Sequence, residues 1–178
     1  RAGHQGGLAM RMHIDEFADG GGGELAADLG VETADHAHHT PIEARMQMKE
    51  AGVNTGFLPG TPYAMGDSWP ELGPLLEHEI PFTFASDFNP NCYTLSLPFV
   101  CSLMVQRCGL HPLAALASVT VNAARATQHP SGLMHGQLTE GAVANFNIID
   151  GPHWESMMLR PSSSPFSGTV LNGKYISQ

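Results

Sequence analysis

A chain of 178 residues and 19.0 kDa, with 8 Lys and Arg against 17 Asp and Glu, has the length of one domain and a net charge of −9. Its 42% hydrophobic and 14% charged content gives it a core to bury, which argues against a disordered acidic tail, and its acidic balance argues against a nucleic-acid partner, since phosphate backbones are gripped by Lys and Arg. The longest nearly uninterrupted apolar stretch, residues 95–105, is too short to span a bilayer, no charged-then-apolar leader opens the chain, and Cys92, Cys101 and Cys108 form no C-x-x-C pair; a cytoplasmic protein with packing cysteines and no membrane partner is expected.

Helical and strand signals alternate along the chain. Residues 8–15 read as a strand, Gly20 to Gly23 lead into a helix over 24–29 that Gly30 stops, and 31–36 form a second strand. Thr40-Pro41-Ile42-Glu43 reads as a capping box with Pro at the first helical position, starting a helix that ends near Gly52. A third strand over 53–58 is closed by Pro59-Gly60; a loop follows, then helical spacing over 69–79 and a fourth strand over 80–86. Residues 94–108 and 112–127 read as apolar core helices, with Cys101 and Cys108 on one face. From Gly132 the composition turns Gly-rich and strand-like, with β elements over 144–150 and 167–176 around a loop at 162–165. Four β-then-α units indicate an α/β fold with a parallel sheet. Because a complete eight-unit barrel takes about 250 residues, the expectation is half of a TIM-like (β/α)8 barrel. The chain also starts at Arg1 without an initiator Met, which is expected of an excerpt of a longer polypeptide.

Chemistry concentrates where α/β folds keep it, at the carboxyl ends of the strands. The first strand ends in His13-Ile14-Asp15-Glu16, the second in Asp35-His36 and the fourth in Asp87-Phe88-Asn89-Pro90, in a chain whose ten histidines outnumber its lysines and arginines. A lone strand-end His or Asp is more often a loop hydrogen-bonder, but three strands presenting titratable groups at one end point to a shared site. Imidazole and carboxylate suit Zn or Fe, and a His-x-x-Glu supplies both a metal ligand and a proton carrier. His38 and His39 follow His36 too closely to share its strand and read as loop residues; His36-Ala37-His38 mimics an H-x-H metal motif without its flanking context. His4, His78, His111, His129, His135 and His153 default to surface or packing positions. Gly20 to Gly23 lack the Lys-Ser/Thr of a P-loop and read as a turn. Ser68, Ser86 and Ser96 sit in no nucleophile elbow. Met46, Met48, Met157 and Met158 read as packing residues.

His13-Ile14-Asp15-Glu16-Phe17, Thr33-Ala34-Asp35-His36, Leu58-Pro59-Gly60 and Ser86-Asp87-Phe88-Asn89-Pro90 together resemble the imidazolonepropionase family of the metal-dependent amidohydrolase superfamily. Thr120 to Ala126, Gly136 to Gly141 and Gly168 to Ile176 extend the resemblance over essentially the whole chain. It implies a second half of the catalytic barrel over 1–131 and a return into a small β-sandwich over 132–178. It also implies hydrolysis of 4-imidazolone-5-propanoate to N-formimidoyl-L-glutamate in histidine degradation. By the resemblance, His13 and Asp87 are ligands of one metal ion, Zn or Fe; Glu16, His36 and Asp87 are catalytic; and Glu16, Asn89, Asn91 and Cys92 contact substrate. Asn91 and Cys92 stand where the family usually has Gly followed by Ser or Thr. The H-x-H ligand pair of the family's first half is not in this sequence, so the isolated chain is expected neither to bind metal tightly nor to turn over substrate. A homodimer is the expected assembly, and two copies would close the barrel if the 178 residues are a unit by themselves. Two other readings stay open: a related deaminase of a heterocyclic ring, and an incomplete, non-catalytic fragment.

Overall fold

Each expected strand forms, and the crossovers between them set the layers. In a computed structural model describing residues 2–160 and 162–177, a short helix α1 (Ala2–Gln5) precedes β1 (Arg11–Ile14), α2 (Gly22–Leu29), β2 (Thr33–His36), α3 (Ile42–Glu50), β3 (Asn54–Phe57), α4 (Gly60–Met65), α5 (Gly73–Glu77) and β4 (Phe82–Phe84). The four strands lie in sequence order, all parallel. Parallel neighbours need a crossover, and helices supply every one. Three further helices follow, α6 (Leu97–Cys108), α7 (Pro112–Val119) and α8 (Val121–Arg125). A separate antiparallel sheet then forms from β5 (Phe146–Ile149), β6 (Phe166–Leu171) and β7 (Lys174–Ser177), with a 3₁₀ turn at Trp154–Met158. The surface position expected of His4 lies outside the described side chains. Among the described residues no helix is long and apolar enough to cross a membrane, and Cys92, Cys101 and Cys108 are free thiols.

The register gives the parallel sheet two unlike faces. Ala34, Thr55 and Phe82 align across one face, as do Phe57 and Phe84, and these side chains pack under the helices. Phe57, Phe82 and Phe84 join Leu75, Val100 and Met104 in one core, while Ile14, Ala34, Met48 and Val53 form a second under α2 and α3. Met157 and Met158 are buried, as packing residues should be, whereas Met46 is exposed. Each large apolar side chain so buried contributes about 1.5–3 kcal/mol. Because side chains alternate along a strand, the opposite face carries Arg11, His13, Thr33, Asp35, Asn54 and Thr83.

Several boundaries differ from the sequence reading, each for a local reason. The capping box does not form: Pro41 caps α3 without a side-chain bond, because the Thr40 hydroxyl donates instead to Asp15 Oδ2 at 2.6 Å. Residues after Pro59 make helix α4 rather than a loop. Helix α5 starts at Gly73, not Trp69, since Pro74 lacks an amide hydrogen and fits only a first turn. The helix expected over 112–127 breaks at Thr120, where ψ is −94° and the side-chain hydroxyl bonds the Leu116 carbonyl at 2.7 Å. The single β element expected over 167–176 is a hairpin. Asn172 and Gly173 take φ of 49° and 76°, the paired left-handed conformation of a tight two-residue turn.

Candidate active site

The carboxyl end of β1 opens into a turn that separates the jobs of neighbouring side chains. Asp15, at φ 46°, points back and accepts hydrogen bonds from the Gly20 and Gly22 amides at 3.0 and 3.1 Å and from Thr40. Burial raises its pKa, but the Thr40 hydroxyl and the Gly20, Gly22 and Gly23 amides outweigh that and hold the carboxyl below its usual range. Asp15 therefore stitches β1 to α2 and α3. Glu16, the next residue, is left half-exposed and turns toward the end of β2.

There it meets His36. The His36 Nε2 lies 3.7 Å from Glu16 Oε2 and 3.1 Å from His13 Nδ1, with the two imidazole rings 4.9 Å apart between centroids. His36 is buried, Glu16 intermediate and His13 exposed, and their donor atoms all fall within 4.8 Å of one another. This is the one group of three or more His, Cys, Asp or Glu side chains among the described residues with that spacing. Imidazole nitrogen and carboxylate oxygen are donors that a borderline cation such as Zn accepts.

The backbone at His36 is unusual. His36 and Ala37 both have positive φ, 67° and 47°, a conformation that costs non-glycine residues roughly 1–2 kcal/mol each. The buried guanidinium of Arg45 donates from Nη2 to the Ala37 carbonyl at 2.6 Å and the His38 carbonyl at 3.3 Å, and lies 5.2 Å from the Phe57 ring centroid. Burial lowers its pKa to about 10, while Asp15 and Glu71 pull it upward, so it remains a cation at neutral pH.

Asp87 sits at the end of β4 with φ 57° and accepts a short hydrogen bond from the Thr61 hydroxyl. Thr61 follows Leu58-Pro59-Gly60, and the glycine is sterically required: a Cβ on Gly60 would collide with the Ser86 carbonyl and approach Cys92 Sγ to 2.7 Å. Asp87 lies outside the His13, Glu16 and His36 group, yet its charge reaches the same end of the sheet. Burial raises the Asp35 carboxyl above its usual range against the pull of Arg11, His13 and His36, and Asp87 pushes it the same way.

The residues after Asp87 form a closed turn. Asn89 and Cys92 exchange backbone hydrogen bonds at 3.1 and 3.0 Å, Asn89 Nδ2 donates to the Asp87 carbonyl at 2.8 Å, and Asn89 Oδ1 accepts from the Asn91 amide at 2.8 Å. Cys92 is 5% exposed and its thiol faces the Ser86 carbonyl at 3.8 Å. A narrow cleft beside the cluster is lined by Glu16, His36, His38, Thr61 and Asp67, with Phe57 and Pro59 as apolar walls. His38 is a loop residue as expected, and its Nε2 lies 3.2 Å from Ser68 Oγ. Burial and then His39 lower its pKa against the opposing pull of Asp67.

Sequence reasoning singled out His13, Glu16, His36 and Asp87 but passed over Arg45 and Thr61. The available signal for Arg45 was a cation on the same side of α3 as Ala44 and Met48; for Thr61 it was a hydroxyl directly after Pro-Gly.

The chain matches no protein-family profile. It is 36% identical over 176 residues to the imidazolonepropionase of Haloarcula marismortui, covering 99% of this chain and 41% of that protein. Against the imidazolonepropionase of Geobacillus kaustophilus it is 33% identical over 178 residues, covering 98% and 41%. The chain thus spans about two fifths of the length of the curated relatives it matches. Among solved structures, A. niger ochratoxinase superposes with a TM-score of 0.74 at 17% identity, over 95% of this chain and 42% of that one. An adenosine deaminase from Xanthomonas campestris with bound zinc superposes with a TM-score of 0.72 at 14% identity, over 98% and 46%. These structural likenesses establish a shared α/β fold. By sequence, along nearly its whole length, the chain is similar to imidazolonepropionases, of whose length it matches about two fifths.

Proposed function

We propose that this chain supplies the second half of the active site of a cyclic-amide hydrolase that opens 4-imidazolone-5-propanoate to N-formimidoyl-L-glutamate. The carrying observation is the convergence of His13, Glu16 and His36 at the carboxyl end of a parallel sheet. In this reading residues 1–131 form half of a (β/α)8 barrel and 132–178 part of a small β-sandwich. The polar sheet face bearing His13 and Asp35 turns inward, and β1 and β4 each keep an unpaired edge for the other barrel half. A homodimer in the cytoplasm completes the proposal, consistent with three unpaired thiols.

His13 and Asp87 would hold one Zn or Fe ion, whose Lewis acidity activates water at neutral pH when bound. The remaining chemistry falls to the side chains. His36 orients the lactam carbonyl through its ring N–H, Asp87 accepts the proton of the attacking water, and Glu16 shuttles that proton on to the ring nitrogen as the C–N bond breaks. Asn89, Asn91 and Cys92 lie along the propionate arm. With the side chains of Asn89 and Cys92 committed within their own turn, the contacts available there are chiefly backbone groups and the side chain of Asn91.

The test is to incubate the natural polypeptide containing this chain with 4-imidazolone-5-propanoate and follow loss of the imidazolone chromophore together with formation of the formimidoyl product. Stoichiometric conversion is expected. Ammonia release from a purine, pyrimidine or pterin, with no lactam opening, would replace the proposal with a deaminase.

A further inference from the structure

We propose that Arg45 is a positioning residue for His36, holding the left-handed turn that brings the imidazole to His13 and Glu16. The proposal rests on the reading of His36 as a catalytic group.

The strand register places His36 opposite Ile14, a core residue on the helix side of the sheet. Only the positive φ values at His36 and Ala37 carry the ring across to the polar side. Neither residue is a glycine, so the turn needs an external constraint. The Ile14 carbonyl accepts the Ala37 amide at 3.0 Å and so fixes the peptide between His36 and Ala37. Arg45 fixes the two peptides that follow, one guanidinium nitrogen bridging the Ala37 and His38 carbonyls.

This use of an arginine is costly and specific. Arg45 is 6% exposed, its Nε has no hydrogen-bond partner, and none of the ion pairs among the described residues includes it. A buried cation is normally paired with a carboxylate. Here its hydrogen bonds among the described residues go to two main-chain carbonyls in the segment that aims His36, and the Phe57 ring beside the guanidinium limits its movement. Nη2 carries two coplanar N–H groups on a rigid guanidinium, one for each carbonyl, whereas a lysine ammonium on its flexible four-carbon stem has enough donors but no such fixed orientation.

The test uses the natural polypeptide with Arg45→Met, Arg45→Lys and the double change Arg45→Lys with Ala37→Gly. Steady-state kinetics are paired with the imidazole ¹H–¹⁵N resonances of His36, and His153 in the C-terminal segment serves as control. Arg45→Met is expected to lower kcat by about 10²-fold, as for a misaimed catalytic group, with KM within about threefold, and to shift the His36 resonances but not those of His153. Arg45→Lys is expected to fall between. Glycine adopts positive φ without penalty, so adding Ala37→Gly is expected to recover most of the loss and return the His36 resonances toward their original place; a purely structural arginine would gain nothing from it. Unchanged His36 resonances in Arg45→Lys, or a double variant no better than Arg45→Lys, would overturn the proposal. Should Arg45→Met not fold, the two lysine variants decide. If the parent polypeptide fails to open the imidazolone, the functional reading falls, while the His36 resonances still decide the role of Arg45.

Discussion

His36 Nε2 lies 3.1 Å from His13 Nδ1, although the sheet register pairs His13 with Asp35 and His36 with Ile14. In a regular strand the two imidazoles would point to opposite faces. Their approach is a product of the left-handed turn at the end of β2, and it brings two imidazoles and the Glu16 carboxylate together at one end of the sheet.

Replacing Glu16 by Gln keeps the size and hydrogen-bonding shape of the side chain but removes its ability to carry a proton. Turnover in the natural polypeptide is expected to fall by about 10²–10⁴-fold, with circular dichroism and melting temperature essentially unchanged. An unaltered kcat would remove Glu16 from the chemistry.

Thr61 holds Asp87 by a hydroxyl bond. Changing Thr61 to Val preserves its branched shape and deletes the donor, so metal affinity measured by chelator competition is expected to weaken by about 10–100-fold. Affinity equal to that of the parent would show that Asp87 needs no such support or holds no metal.

Asp15 carries a folded-state pKa below its usual value. A depressed carboxyl stabilises the fold above its unfolded-state pKa, and that contribution disappears as pH falls through the folded-state value. Asp15→Asn is therefore expected to unfold about 1–3 kcal/mol more easily near pH 7, with the gap to the parent closing as the pH falls below the ordinary aspartate range and through the depressed folded-state value. Urea titrations at several pH values measure this, and a gap independent of pH would contradict it.

Burial pushes the Cys101 thiol up to about 12 and raises Cys108 as well. Since the thiolate is the reactive form, Cys101 in the folded protein is expected to resist a thiol reagent at pH 8 and to react once denaturant is added. Prompt labelling of Cys101 in the native state would show that α6 opens far more readily than its packing implies.

The isolated 178-residue chain, expressed by itself, is expected to lose metal on dialysis against a chelator and to leave the imidazolone intact. Stoichiometric metal retained through that dialysis, with turnover, would mean that the side chains described here suffice.

The parts of the site visible in the sequence are those carried by local pattern. His13 and Glu16 are joined by a three-residue spacing, and His36 and Asp87 stand at the carboxyl ends of strands, so each is marked by its own neighbours. Arg45 and Thr61 are not, because their partners are a strained peptide and a carboxylate on other elements. Thr40 shows the converse: its local pattern is a sound helix cap, and a longer-range bond to Asp15 overrides it. The α/β alternation was legible for the same local reason, while the break at Thr120 and the helix after Gly60 depend on contacts that no window of sequence contains.

The bond between His13 and His36 spans 23 positions and the bond between Thr61 and Asp87 spans 26. Each is closed by a single strand-crossover-strand unit, β1 to β2 in one case and β3 to β4 in the other. The chain entropy lost in closing such loops grows only slowly with length, so the two contacts cost nearly the same to close, and each is local to its own unit. The pairing of β2 with β3 is what places these two separately wired pairs at one end of one sheet.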